Sequence, residues 1–504
     1  MKSGSDDIVI DIVNDKKCIF RVPEVLRRKK KEAYTPDVVS IGPFHYRAPG
    51  KRAKRNDEGK EDDFQLMERV KQSYLNEILS LMGNISLKEL TAKVTDELSD
   101  EGGVFEERAR GFYAEPLDHI SSQDFKEMMV VDGCFLIQLF RKCKYVDLRK
   151  ADDPVFNMDC MFHFLCHDLL LLENQLPWSV LTTLYRLALD PDSHPHEPSL
   201  SVLILTAFTR LPSLKQSCSS YNRHLNKHKF HCDCDADVLH ILDLIRASIV
   251  VPLTTKDKRA NSKHVQQMNT SSPVPSLPGG LFSIVKIIRS KVRLASRTKQ
   301  MHTTSRKDSR NYKDAIFDSD QHQMHTATAL SKADIKFKNV IKESIMDIRF
   351  EVGGFCRNGI LMIPQLNVGM SSETLFRNLI AFEQCYHGYS NEITSYAILM
   401  DNLISSQEDM ELLCKEKVIG NWLSDEDGCN FFNNLHKDIP HNKFYYVDLC
   451  KQVNERYKMR RYTWLALLKS EKFSNPWRIL AFGIAIIVLL LNTWASTNNI
   501  RIHM

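Results

Sequence analysis

The feature that most constrains this 504-residue chain lies near its C-terminal end, where Ile479 to Leu491 reads ILAFGIAIIVLLL without a polar residue. The stretch continues past Asn492 and Thr493 to Ala495, and Trp477 and Trp494 bracket it. At ~1.5 Å per helical residue the indoles stand about 25 Å apart, close to the hydrocarbon thickness of a bilayer. This spacing predicts a single C-terminal transmembrane helix over 476–495, with Trp477, Arg478 and Trp494 at the membrane interface and a short tail over 496–504. A buried core helix is the competing reading, and the shortness of the run and Asn492 weigh against it. The N-terminus, MKSGSDDIVIDIVNDKK, has acids where a secretory signal carries positive charge. An apolar helix so late in the chain then predicts a tail anchor with the body in the cytosol. Lys469, Lys472 and Arg478 before the helix agree with that orientation.

Charge is unevenly placed. Between Leu253 and Lys313 there are 14 Lys or Arg against Asp257 and Asp308 alone, more than the whole chain's net +5. The same region carries Pro273, Pro275, Pro278 and a Gly279-Gly280 pair, so 253–326 reads as a basic, disordered insertion. Within it, Leu281–Leu294 has the pattern of a short basic amphipathic helix, suited to anionic lipid or an acidic partner; a plain basic linker explains it equally. The thirteen cysteines show no pairing pattern and do not describe a disulfide framework.

Around the insertion the pattern is that of a folded body: a flexible 1–15, a helical part over 16–252, and a second part over 327–470. Ile19–Pro23 alternates like a strand, and 47–63 reads as a charged loop. Helical periodicity covers Leu66–Leu81, Phe125–Phe140, Phe162–Leu172, Trp178–Leu189, Leu200–Leu211 and Asp237–Val250. Phe125–Phe140 is apolar nearly all round and predicts a central helix. Pro177 ends helical backbone at Leu176, where Asn174 and Gln175 can satisfy freed carbonyls. Later, Ile335–Val340, Ile345–Val352 and Gly359–Ile363 predict a small antiparallel sheet. Helices follow at Leu375–Cys385, Ile393–Ile404 and Val447–Leu468, and Ser405–Glu408 has capping-box spacing before another. The fold class is mainly α with a small antiparallel β component, an α+β chain.

No chemical constellation stands out. Cys218, His224, His228, His231, Cys232, Cys234 and His240 offer zinc's ligand types, but no CxxC pair exists and Cys232-Asp233-Cys234 suits a tetrahedral site poorly, so a polar loop is the reading. Asp132, Asp168 and Glu173 are explained by capping and buried hydrogen bonds without acid–base work. The paired glycines lack the strand–loop–helix context of a phosphate loop. We therefore expect no catalytic, cofactor-binding or metal residues and no cofactor. The basic insertion lacks interleaved aromatics, which argues against a nucleic-acid partner. Asn84-Ile-Ser86 and Asn269-Thr-Ser271 are glycosylation sequons that matter only if the body crosses a membrane.

A set of segments in this order resembles the plant domain-of-unknown-function 247 family. These are Arg21-Val22-Pro23, Tyr34-x-Pro36, Ser40-Ile41-Gly42-Pro43-Phe44-His45, Met67-Glu68-x-x-Lys71 and Asp132-Gly133-Cys134-Phe135. Next come Asp168 with Glu173-Asn174-Gln175-Leu-Pro177, Arg377-Asn378 with Phe382-Glu383-Gln384-Cys385, and Tyr396 with Met400-Asp401. Phe112 stands where a Cys is common, and Ala329-Leu330 and Asp334-Ile335 replace the usual Glu-Leu and Gly-Val. The resemblance covers about 16–495 and implies a plant membrane protein without established enzyme activity. Some grass members are implicated in pollen self-incompatibility. We expect the motif residues Pro23, Gly42, Pro43, Asp132, Gly133, Asp168, Glu173, Asn174, Gln175, Pro177, Asn378, Phe382 and Glu383 to be structural. The expected function is non-enzymatic recognition or signalling at a membrane, through the bilayer helix and a protein partner. The alternatives are a cytosol-facing scaffold whose basic insertion touches anionic lipid, and an enzyme using Asp168, Glu173 or His45.

Overall fold

The computed structural model describes residues 17–46, 63–99, 105–158, 160–189, 196–227, 238–250, 323–352, 358–421, 423–437 and 444–458, together with 194, 439, 484–485 and 487–492. Residues before and after 254–321 belong to one compact unit. The intervening stretch, with the expected amphipathic run Leu281–Leu294, lies outside the described residues, as do 1–16 and most of the charged loop 47–63.

The helical core is built from α1 (Asp63–Leu81), α2 (Leu87–Ser99), α3 (Ser122–Lys144), α4 (Met161–Leu169), α5 (Trp178–Ala188), α6 (Leu200–Phe208) and α7 (Lys215–Lys227). Helix α3 is the predicted central element. Ser121 caps it by accepting the Asp124 amide, and Arg141, Lys142 and Lys144 complement the dipole in its last turn. Its sequence is apolar on several faces because it packs on α1, α5 and α6 at once. Residues 241–250 form a further buried helix. After the insertion come α8 (Met370–Cys385), α9 (Glu392–Leu403), α10 (Gln407–Lys415), α11 (Asp425–Leu435) and α12 (Val447–Lys458). The capping box sits one residue later than the sequence suggests, with Ser406 and Asp409 as the reciprocal pair.

The β component is small but not simply antiparallel. Strands β1 (Ile335–Val340), β2 (Arg349–Glu351) and β3 (Gly359–Pro364) form a sheet of order β1-β3-β2. β3 runs parallel to β1 and antiparallel to β2. The chain returns through β2 before β3 inserts between the two, a choice that local alternation cannot encode. β4 (Leu366–Val368) pairs in parallel with β5 (Ile419–Asn421), joining segments more than 50 residues apart. Ile19 makes only an isolated bridge to Tyr113.

The expected C-terminal transmembrane helix is corrected by the structure. Among the described residues, no helix is long and apolar enough to cross a membrane. Of 476–495, residues 484–485 and 487–492 are described, and they are helical and exposed. Trp477, Arg478 and Trp494 lie outside the described residues. A single-pass anchor, the bilayer contact through 476–495 and the membrane localisation built on them are therefore not supported.

The N-terminal segment 18–46 crosses this core with little regular structure of its own, and Gly42 marks its tightest point. Its φ is +71°, and a Cβ there would stand 2.8 Å from the Gln175 carbonyl oxygen. Gly42→Ala should therefore destabilise the protein by about 2–4 kcal/mol, combining left-handed strain with a backbone clash. Denaturant unfolding measures this, and a change within ~0.5 kcal/mol would show that the segment can shift aside.

Candidate functional site

Between α4 and α5 the chain runs through Asp168-Leu-Leu-Leu-Leu-Glu173-Asn174-Gln175-Leu-Pro177, and its polar side chains are buried. Their partners are mostly backbone groups of segment 18–46, which has no ladder of its own to satisfy them. Asp168 accepts the amides of Asp37, Val38 and Val39 at 2.8, 2.7 and 2.7 Å. Asn174 accepts from the Ile41 amide at 2.6 Å and donates to the carbonyls of Val39 and Asp168. Gln175 donates to the carbonyls of Leu169 and Leu171, closing the end of α4, and accepts from the Leu242 amide. Pro177 then starts α5.

Glu173 holds the first residues of the same segment. It accepts the Val22 amide at 2.7 Å, is bonded by Arg27, and faces His45 Nε2 at 3.2 Å. Burial pushes its carboxyl upward, but His45, the Val22 amide and Arg27 outweigh that and hold it below the ordinary glutamate range. Pro23 precedes the short helix Glu24–Arg27 that presents Arg27. From α8, Asn378 accepts the Leu172 amide and donates to the Ala33 carbonyl. Phe382 lies against the His240 ring at 4.7 Å, and Glu383 joins Arg246 at 3.0 Å while accepting the Ile393 and Thr394 amides. Gly133 lets α3 pass close to Leu184 of α5, and Pro43 is buried beside Gly42.

Asp132 connects this frame to a cleft. One of its oxygens accepts the Gly42 amide and the other pairs with Lys71 Nζ, both at 2.8 Å. Lys71 also reaches Glu68 at 2.8 Å and the Ser40 carbonyl at 2.5 Å. Burial disfavours its charge, but Asp132 and Glu68 prevail and raise its pKa. Above this floor opens a cleft of about 540 Å³ between residues 35–46 and helices α1 and α3. Its lining includes Phe44, His45, Tyr46, Phe64, Met128 and Val131.

Several sequence expectations meet definite outcomes. The structure brings Glu173 and His45 together, but Asp168 serves residues 37–39 and pairs with His167 instead. Asp37, His167 and Asp168 place one ligand atom each within 4.8 Å of one another. The Asp168 oxygens already take three amides and the His167 ring, so the group fits a hydrogen-bond hub rather than a cation site. Of the suggested zinc group, Cys218 is buried and its thiol is pushed up to about 12 by burial. His240 bonds the Cys18 carbonyl and the Asp243 amide, and 228–234 lie outside the described residues. Sequence reading missed the Lys142–Asp153–Tyr74 cluster and the Arg246 ion pairs; Lys142 and Arg246 stand among buried apolar residues of their helices, which is the signal that could have revealed them.

This largely buried polar frame with a lateral cleft belongs to a helical architecture, and comparison identifies its kind. The profile of DUF247, plant proteins of unknown function, matches residues 19–491, and the chain belongs to that family. It is 28% identical to the UPF0481 protein At3g47200 of Arabidopsis thaliana, over 99% of this chain and 90% of that protein. It is 24% identical to the putative UPF0481 protein At3g02645 of the same plant, over 94% and 88%. No solved structure is significantly similar.

Glu173 gives a direct test of the frame. Glu173→Gln should cost about 3 kcal/mol at pH 7, since Arg27 and His45 lose a buried anion. Because the folded pKa lies below the unfolded one, the carboxylate's contribution is present above the ordinary ~4.3 and is lost as pH falls through the lowered value. Melting temperatures from pH 7 down to 3 should therefore fall less steeply in Glu173→Gln than in the natural protein. Equal slopes would remove Glu173 from the frame's energetics.

Proposed function

We propose that this DUF247 protein is a non-enzymatic recognition or signalling protein whose ligand occupies the cleft between residues 35–46 and helices α1 and α3. The observation that supports this reading is how the cleft wall is held. Asp132 and Lys71 fasten the backbone at Ser40 and Gly42, while Asp168 and Asn174 fasten residues 37–41 from behind. These groups thereby build a fixed concave surface, and preorganisation of that kind lowers the ordering cost of binding. The volume of about 540 Å³ falls within the ~300–1,000 Å³ common for ligand sites.

Filling the cleft tests the reading. The full chain and its Val131→Trp variant would be immobilised and exposed to plant tissue extract, with retained molecules identified by mass spectrometry. A specific ligand should be enriched on the natural protein and fall by about tenfold on the variant, the equivalent of ~1.4 kcal/mol, with the melting temperature unchanged. Equal retention by both would move recognition away from the cleft. A turnover abolished by Val131→Trp would make the protein an enzyme.

A further inference from the structure

Among the described residues, the carboxylates that line the cleft outnumber its cations. Asp124, Glu127, Met128 and Val131 share one face of the first turns of α3, at the i, i+3, i+4 and i+7 spacing, and all four line the cleft. Opposite them, Glu68 projects from α1 with its side chain about half exposed (54%). Lys71 is the one lysine of the lining, and it is 3% exposed at the floor. Its ammonium has three donors, and they go to Asp132, Glu68 and the Ser40 carbonyl. One positive charge thus serves two carboxylates. Among the described residues, no cation pairs with Asp124 or Glu127, and Glu127 accepts the side-chain amide of Gln123 one turn before it. Tyr46 registers the sum: burial, then Asp124, Asp132, Glu127 and Glu68 together, pushes its phenol upward.

The same space has an apolar side. Phe64, Met128 and Val131 line it beside the Tyr46 ring. A ligand that matches both features carries a positive head for the carboxylates and a hydrocarbon stem for the apolar side, with an aromatic ring near the cation. An anion would meet repulsion from Glu68, Asp124 and Glu127, which line the same concave space.

From this arrangement we propose that the cleft binds an alkylammonium or alkylguanidinium group, with Asp124 and Glu127 as its anchoring carboxylates. The proposal rests on the cleft being the ligand site. Two sources carry that chemistry, a free polyamine and the lysine or arginine side chain of a peptide.

Isothermal titration of the full chain would use spermidine, agmatine, a capped tetrapeptide with adjacent arginine and lysine, and neutral 1,8-octanediol. At least one cation should bind while the diol does not, and its affinity should fall as salt rises from ~0.05 to ~0.5 M. Tighter binding of the tetrapeptide would identify a peptide side chain as the source, and tighter binding of spermidine or agmatine a free amine. Asp124→Asn/Glu127→Gln should weaken binding by about tenfold, ~1.4 kcal/mol, at an unchanged melting temperature. If that variant fails to fold, Glu68→Gln, altered at a half-exposed position, and the salt series on the natural protein carry the test. Binding of the diol as tight as that of the cations, or affinities indifferent to these carboxylates and to salt, would overturn the proposal. If no cation binds while extract capture still depends on Val131, the cation class fails and the cleft remains the ligand site. If capture is also indifferent to Val131, both readings fail.

Discussion

The carboxylate of Asp168 in contact with three successive backbone amides is the interaction on which most of this structure depends. Residues 37–39 have no sheet or helix to take their N–H groups, and a buried amide without a partner costs about 1–3 kcal/mol. One ionised side chain satisfies all three, in charge-assisted bonds that are roughly twice as strong as neutral ones. Asn174 extends the same arrangement to Ile41, Asp132 to Gly42, and Glu173 to Val22. An irregular segment is thereby folded against helices by side chains acting in place of a β-ladder. Its shape then defines one wall of the cleft.

Legibility in the sequence followed the range of the interaction involved. Helices whose apolar period is local, such as α1, α3 and α5, were readable to within a few residues. The Asp168–Pro177 run was recognisable as a structural motif, and Asn174 and Gln175 were assigned to carbonyls at the end of α4, as they are found. Their other halves were not readable. That Asn174 accepts from Ile41, or Gln175 from Leu242, depends on contacts 133 and 67 residues apart, and no spacing rule carries them. The β component failed for the same reason, since the order β1-β3-β2 and the β4–β5 pair are choices of partner. The C-terminal run was the opposite error. A strong local hydropathy signal predicts a span, yet among the described residues no helix has the length and apolarity to make one.

The cleft was absent from the sequence reading because its residues come from four separated places, 35–46, α1, Leu87 at the start of α2, and α3. Within α3, Asp124 looks like an ordinary first-turn acid that favours the positive end of a helix dipole, and Glu127 like a solvated charge one turn on. Only the fold shows that their face turns toward Tyr46 and Glu68 rather than away from the body. The motif residue Lys71 likewise changes meaning. A lysine on α1 reads as a solvated charge, whereas here it is a buried tie between Asp132, Glu68 and the Ser40 carbonyl.

A frame of buried ions is a costly way to hold a segment, because desolvating each charge takes several kcal/mol before any attraction is gained. Well-packed apolar residues would stabilise the same contact as well or better, so stability alone does not account for Asp132, Asp168 and Glu173. What ions and amides supply is direction. An apolar contact lets a loop slide by an ångström at little cost, while a carboxylate bonded to named amides fixes the register of residues 37–42 against α3 and α4. In a core, that precision would be redundant. Beside an open cleft it is not, since there the wall borders open space among the described residues. The placement of the buried charges directly behind the cleft wall therefore argues that the wall's shape, more than the fold's overall stability, is what they maintain.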